Sequence, residues 1–115
     1  MKQTDQQRIK KILDFGNKLC EYIKDQNITQ KDLLENVLIQ WTVTTPLYNI
    51  GEHTYQLSAE TKEAYHDIPW MMISGLRHRL VHDYEGTNWS IIATVVYEEL
   101  PAFLRRMEEI YTEMK

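Results

Sequence analysis

Residues 91–114 read IIATVVYEELPAFLRRMEEIYTEM, and this stretch decides the fold class. Its apolar residues recur at steps of three and four, which is the period of an α-helix that buries one face. They form one continuous stripe: Ile92, Val95, Val96, Leu100, Phe103, Leu104, Met107, Ile110 and Met114. Asn88 or Thr87 is the expected N-cap of this helix. A bend is expected at Pro101, because proline lacks the N–H group that would continue the helix.

The same period runs through the beginning of the sequence. The residues that build this second stripe are Ile9, Ile12, Leu13, Gly16, Leu19, Cys20 and Ile23. Asp5 is the expected N-cap, and the Asp-Gln-Asn sequence at 25–27 is the expected stop. The pattern therefore predicts a second long amphipathic helix.

A third helix is predicted from Thr29 or Gln30 onward. Its apolar residues on one side are Leu34, Val37, Leu38, Trp41 and Tyr48. Residues 42–46 are its weakest part, because β-branched residues lower helix propensity and Pro46 would kink or end a helix. A strand at 37–44 would lack a partner strand, so a long, kinked helix is the preferred interpretation.

Two shorter helical segments complete the prediction. Ser58 caps a helix that reaches about His66, and Pro69 suits the first turn of the next helix, which ends at Gly86. Four to five helices with short connections indicate an all-α fold, a mostly antiparallel bundle. We expect residues 1–115 to form a single helical domain.

Composition narrows the range of functions. The sequence has 13 Lys and Arg residues against 17 Asp and Glu, which gives a net charge of −4. That sign argues against broad nucleic-acid binding, which needs many phosphate contacts, but it allows a small basic site. The single Cys20 cannot form an internal disulfide and is expected to be a buried thiol. No leader and no membrane-length apolar run is apparent, so we expect a cytoplasmic protein without a membrane partner.

The segment GLRHRLVHDY (75–84) departs from this ordinary pattern. At about 100° per residue, Arg77 falls near the middle of the apolar face of its own helix. The apolar residues around it are Trp70, Ile73, Leu80, Val81 and Tyr84. An isolated buried charge is very costly, so Arg77 either pairs with an acidic residue such as Glu52 or lines a cleft or an interface. His82 lies about 140° round the helix, so the two side chains converge only if the helix frays or a second copy contributes.

A metal site is a competing interpretation of the same segment. His78 and His82 have the i, i+4 spacing that zinc accepts, but Arg79 would repel a cation. A third ligand, Glu85 or His53, has no local support. The sequence also lacks a phosphate-binding glycine loop and a nucleophile elbow. We therefore expect neither a metal nor another cofactor.

The string RHRLVHDY (77–84) resembles the R-x4-H-x-Y signature of the HepT-like toxins of the HEPN superfamily. IGEHTYQLS (50–58) resembles the IGE stretch of that family, and DIPWMMISGLR (67–77) resembles its IPW…GLRN run. YEELP (97–101) resembles the DLP that begins the last amphipathic stretch of the family. The similarity runs in order along nearly the whole sequence and indicates a HEPN-like helical bundle.

The resemblance implies a homodimer in which two R-x4-H motifs line one cleft, and a metal-independent endoribonuclease. A ribose 2′-OH would attack its own phosphate and leave a 2′,3′-cyclic phosphate. Arg77 takes the electrostatic role toward the phosphate, and His82 moves the proton, because histidine titrates near neutrality. The implied substrate-binding or supporting residues are His78, Arg79 and Glu52. Tyr84 would be modified with AMP by a nucleotidyltransferase antitoxin, and DNA is not an expected partner.

Two departures from the family pattern bear on activity. His78 stands where the family usually has Asn, and Thr45 with Pro46 stands where many members have an Arg-Asn pair. An alternative function is therefore a non-catalytic helical partner of a nucleotidyltransferase, in which Arg77 and His78 hold the phosphate of a nucleotide or substrate. A purely structural dimerisation bundle is a third interpretation.

Overall fold

The computed structural model describes residues 4–81 and 86–115. Within these ranges the chain forms helices and no strand, which confirms the predicted all-α bundle. The helices are α1 (Asp5–Asp25), α2 (Gln30–Glu35), α3 (Val37–Tyr55), α4 (Ala59–Ala64), α5 (Trp70–Ser74), α6 (Leu76–Val81), α7 (Trp89–Thr94) and α8 (Leu100–Met114). A π-helical turn, Val95–Glu99, joins α7 to α8. None of these helices is both long enough and apolar enough to cross a membrane.

The core lies between the three longest helices. α1 packs against α3 and α8, and α3 also packs against α5 and α6. The two stripes predicted for α1 and for the last helix are buried, with Cys20, Ile23 and Met114 half-buried at their margins. Cys20 is thus less buried than predicted, although its partial burial still raises the pKa of the thiol.

The beginnings of the helices follow side-chain capping. The N-cap of α1 is Thr4 rather than Asp5, because the Thr4 hydroxyl accepts the Gln7 N–H and the Gln7 side chain accepts the Thr4 N–H. Asp5 instead accepts hydrogen bonds from the Ser58 backbone N–H at 3.1 Å and the Ser58 hydroxyl at 2.6 Å. Ser58 is the N-cap of α4, as predicted, since its hydroxyl accepts the Thr61 N–H. The carboxylate therefore joins the start of α1 to the start of α4.

The long helix predicted from residue 29 or 30 is interrupted at Asn36 and not at Pro46. The Asn36 side chain accepts the N–H groups of Leu38 and Ile39, which starts α3 directly after α2 has ended. Pro46 lies inside α3, so the strand considered for this region is wrong.

Four of the five residues on the apolar side predicted for this region are exposed, and Tyr48 is half-buried. The exposed fractions are 42% for Leu34, 51% for Val37, 68% for Leu38 and 69% for Trp41. The residues of α3 that face the core are Val43, Leu47, Ile50, Gly51 and Thr54. We call the first three exposed residues, Leu34, Val37 and Leu38, the apolar stripe.

The helix predicted from Pro69 onward is two helices, α5 and α6, that meet at Gly75. Asn88, not Thr87, caps α7 by accepting the Ile91 N–H. The irregularity predicted at Pro101 lies just before it, where the Leu100 N–H donates to the Val95 carbonyl across a π-helical turn. The proline ring would clash with the carbonyl four residues earlier in a regular helix, and the wider turn relieves this.

Candidate active site around Arg77

Gly51 sets the position of Arg77. A Cβ atom at residue 51 would lie 2.8 Å from the backbone nitrogen of Arg77 and 3.2 Å from the carbonyl oxygen of Ile73. Only a residue without a side chain lets α3 approach the α5–α6 backbone this closely. The glycine of the Ile-Gly-Glu sequence at 50–52 therefore brings the next residue, Glu52, beside Arg77.

The Arg77 guanidinium is held on two sides by α3. Its Nη1 atom lies 3.5 Å from Oε2 of Glu52, which is the contact expected from the sequence. Its Cζ atom lies 3.8 Å from the centre of the Tyr55 ring, a cation–π contact. The side chains of Arg77 and Glu52 are 30% and 31% exposed, so both groups lie at the edge of the core rather than inside it. A carboxylate and an aromatic face together restrict the guanidinium to one orientation.

The Glu52 carboxylate has one oxygen in an unusual environment. Oε2 is buried and, among residues 4–81 and 86–115, accepts no hydrogen bond, while Oε1 accepts the Gln56 side chain at 3.4 Å. The distance to Arg77 exceeds that of a good hydrogen bond, so the two groups interact mainly through their charges. A buried carboxylate oxygen needs such a cation nearby, because its desolvation is otherwise uncompensated.

A second polar contact lies next to this site on α3. Nδ1 of His53 lies 3.3 Å from Nη1 of Arg8 on α1, so the imidazole accepts a hydrogen bond from the guanidinium. Partial burial is the main cause that lowers the pKa of His53, the positive charges of Arg8 and Lys11 lower it further, and Glu52 opposes them. The neutral imidazole is thereby favoured, and this histidine is not the one that the sequence assigned to proton transfer.

The remaining predicted site residues are dispersed. His78 is exposed, whereas Arg79 is half-buried and lines a cavity of about 500 Å³ with Met71, Met72 and Ile91 on other walls. His82 and Tyr84 lie outside the described residues, as does Glu85, the ligand considered for a metal.

Sequence reasoning missed Tyr55. It stands three residues after Glu52 and so on the same face of α3, which is the signal that could have found it. No group of three His, Cys, Asp or Glu side chains within the described ranges is arranged to hold a metal ion.

Comparison with known proteins places this sequence in a family. The profile of the ribonuclease HepT-like family matches residues 4–110. A protein of Methanocaldococcus jannaschii named "Putative RNase" is 29% identical over 84% of this chain and 87% of its own. A protein of the same name from Caldanaerobacter subterraneus subsp. tengcongensis is 29% identical over 84% of this chain and 88% of its own.

A third relative, from Thermococcus cleftensis, is named "Probable ribonuclease HepT". It is 24% identical over 96% of this chain and 98% of its own. No solved structure gives a significant match. The matched range includes Gly51, Glu52 and the R-x4-H motif that begins at Arg77. The chain belongs to the ribonuclease HepT-like family.

Proposed function

We propose that the protein is the toxin of a prokaryotic toxin–antitoxin pair, a metal-independent endoribonuclease in which Arg77 and His82 act on a phosphodiester of RNA. The observation that carries this proposal is the placement of the Arg77 guanidinium. It is partly exposed, stacked on Tyr55 and faced by the carboxylate of Glu52. A guanidinium has five N–H donors, so an oriented fork beside one carboxylate can still hold a phosphate.

The chemistry is an intramolecular displacement at phosphorus. The ribose 2′-oxygen attacks the adjacent phosphorus, and its proton passes to the imidazole of His82 acting as a base. The bond from phosphorus to the 5′-oxygen breaks, and that oxygen takes up a proton. The products are a 2′,3′-cyclic phosphate and a 5′-hydroxyl, so no water or cofactor is consumed. Arg77 stabilises the negative charge that grows on the phosphate oxygens.

A homodimer supplies the second acid–base group for this reaction. Two R-x4-H motifs in one cleft would let one imidazole accept the 2′ proton while another donates to the leaving oxygen. The apolar stripe supports self-association, because contiguous exposed apolar residues on a small protein commonly mark a protein interface. Burial of these side chains in a dimer would remove their contact with water.

Regulation through Tyr84 follows from the same placement in the sequence. Tyr84 follows His82 by two residues. Transfer of AMP to its hydroxyl by a nucleotidyltransferase antitoxin would add a bulky anion to the motif. That anion would repel RNA and compete for Arg77. The AMP group would therefore inhibit the proposed toxin both by charge repulsion and by occupying space in the cleft.

The test is cleavage of total RNA in the presence of EDTA. Wild type is compared with Arg77→Ala, His82→Ala and the matched control His66→Ala, which removes an exposed histidine elsewhere. We expect fragments with cyclic phosphate from wild type and the control, and a loss of roughly 10²–10⁴-fold for His82→Ala. Undiminished cleavage by Arg77→Ala and His82→Ala would contradict the proposal. Nucleotide binding without cleavage by a folded, unmodified wild type would favour the non-catalytic partner of a nucleotidyltransferase.

A further inference from the structure

A second cavity lies along the helix that carries Arg77. Its volume is about 420 Å³, and it is lined by Gln40, Trp41 and Thr44 of α3, Leu80 of α6, and Thr87 and Trp89 around the start of α7. We call it the Trp41 pocket.

The position of this pocket follows from the pairing of α3 with α6. Leu80 is three residues after Arg77, which is about 4.5 Å along the helix axis and on a neighbouring part of the same face. Thr44 is seven residues before Gly51, or about two turns along the same face of α3, and Gly51 touches the Arg77 backbone. The Trp41 pocket therefore lies along the same pair of helices as Arg77, on the opposite side of Gly51 from Tyr55, which the Arg77 guanidinium contacts.

The two indoles of the pocket differ in support. Trp89 is partly buried and packs against the hydrophobic core, whereas Trp41 is 69% exposed. The pocket is thus lined by one accessible indole and by one that the core supports. An accessible aromatic ring on the wall of a cavity can serve as a stacking surface for a base.

Gln40 and Thr44 form a polar part of the lining and are held in place. Nε2 of Gln40 donates to the carbonyls of Leu33 at 2.9 Å and Leu34 at 3.2 Å, which ties the first turn of α3 to the end of α2. The Thr44 hydroxyl donates to the Gln40 carbonyl at 2.7 Å. These bonds fix the backbone that presents Trp41, and within residues 4–81 and 86–115 no group donates to the Gln40 amide oxygen. An apolar protein segment would bury the Gln40 amide oxygen without a donor, whereas a nucleobase has a flat face that stacks and N–H groups at its edge that can donate.

The geometry points to the Trp41 pocket as a binding site for an unpaired nucleobase of RNA, stacked on Trp41 and several nucleotides away from the phosphate that Arg77 holds, because Trp41 and Tyr55 are about 21 Å apart along α3. This inference rests on the proposed ribonuclease function and adds a substrate feature to it. Stacking on an aromatic side chain accepts any base and needs no positive charge. It therefore supplies affinity that a chain with a net charge of −4 cannot draw from phosphate contacts alone. Single-stranded RNA is the implied substrate class, because only unpaired bases can leave the stack.

The test measures binding of a single-stranded 2′-O-methyl RNA oligonucleotide by fluorescence anisotropy. This probe has no free 2′-OH, so binding is measured without cleavage. We expect Trp41→Ala to raise Kd about ten- to a hundredfold and Trp41→Phe to restore most of the affinity. Met71→Ala, which truncates a side chain that is 86% exposed at the other cavity, is the matched control and should leave Kd unchanged.

Four results separate the pocket from the proposed function. Wild-type affinity of Trp41→Ala for the oligonucleotide would overturn the pocket. A Trp41→Ala variant that sediments as a monomer where wild type sediments as a dimer would also overturn it, because the indole would then belong to a protein interface. Cleavage of unmodified RNA by Trp41→Ala with an unchanged KM would likewise overturn the pocket while the ribonuclease stands. Trp41-dependent binding by a wild type that cleaves no RNA would support the pocket and contradict the ribonuclease.

Discussion

Gly51 and Arg77 are in backbone contact: a Cβ atom on residue 51 would lie 2.8 Å from the Arg77 nitrogen, closer than side chains approach in folded proteins. The position of Arg77 is therefore set by a residue on another helix that itself bears no functional group. Substitutions at Gly51 should affect both the stability of the bundle and the geometry of the site.

Gly51→Ala should lower the free energy of unfolding by about 1–3 kcal/mol, because α3 and α6 must separate to admit the methyl group. The same displacement moves Arg77 away from Glu52 and Tyr55, so RNA cleavage should fall more than the loss of folded protein explains. Urea denaturation and cleavage rates, both measured at a temperature where the variant is folded, check this.

Gly16→Ala is the matched control for this substitution. Its added Cβ would contact the Leu104 side chain between α1 and α8, away from Arg77. It should also destabilise the protein, but folded Gly16→Ala should retain the wild-type cleavage rate. Equal effects of the two variants on cleavage, at equal folded fraction, would contradict the positioning role of Gly51.

Arg77→Lys should keep the positive charge but lose the planar fork and the stack on Tyr55. We expect cleavage to fall on the order of 10²–10³-fold, the size of effect seen when one transition-state donor is removed. Thermal stability should change little, because a partly exposed ion pair contributes at most about 1 kcal/mol. Circular dichroism melting beside RNA cleavage separates the two effects, and near-wild-type cleavage by Arg77→Lys would argue against a bidentate phosphate contact.

Tyr55→Leu should weaken cleavage less than Arg77→Lys does, because Tyr55 orients the guanidinium without touching the substrate. The lost cation–π contact is about 0.5–1 kcal/mol at a partly exposed site. Tyr111→Leu, which removes a tyrosine on α8, is a control for loss of an aromatic side chain. If Tyr55→Leu abolishes cleavage as completely as Arg77→Ala, then Tyr55 acts on the substrate directly.

His53 should make the bundle less stable in mild acid. Because the pKa of His53 is lowered in the folded protein, the unfolded chain binds a proton that the folded chain does not as pH falls through 6.5. The free energy of unfolding is therefore undiminished above pH 6.5. It decreases as the pH falls below this value, until the imidazole of the folded protein is also protonated. Urea midpoints between pH 8 and pH 5 should fall less in His53→Gln than in wild type, with His66→Gln as the control. Identical pH profiles for His53→Gln and wild type would show that His53 does not contribute to the pH dependence of stability.

Asp5 should contribute stability that is lost at lower pH. Partial burial by itself raises the pKa of Asp5, but hydrogen bonds from Ser58 and Thr61 and the charge of Arg8 outweigh it and lower the pKa below 3.8. The contribution is therefore complete above that value and disappears as pH falls through the lowered pKa. Asp5→Asn should cost about 1 kcal/mol near neutral pH and little in strong acid. A constant difference in the free energy of unfolding across this range would show that the charge is unimportant.

Much of the fold could be predicted because α1 and α8 each bury one long stripe, and a stripe of this length specifies a helix and its inner face. The cap at Ser58 was also predictable from residue type, whereas residue type left the cap of α7 open between Asn88 and Thr87. The break at Asn36 was not predictable, because the sequence offered a stronger breaker in Pro46. The Asn36 side chain nevertheless replaces two missing backbone partners, and Pro46 is tolerated within α3.

The outward face of the α2–α3 region could not be read from hydrophobicity. Leu38 and Trp41 are as apolar as core residues, and only packing of α3 through Val43 and Leu47 decides that they point outward. The Glu52–Arg77 contact was predictable, since a charge on an apolar face needs a partner. The close approach of α3 to α6, which places Glu52 beside Arg77, depends on Gly51. The role of this glycine is visible only in the packed structure.

The packing of α1 on α8 has a consequence for protein synthesis. Gly16 of α1 lies against Leu104 of α8. The buried face of α1 therefore stays uncovered until α8, the last helix of the bundle, has been synthesised. Folding during translation cannot close the core before α8 has emerged. For the toxin proposed above, this order of events would delay the active bundle until α8 has been made, which would leave a cell time to make the proposed antitoxin.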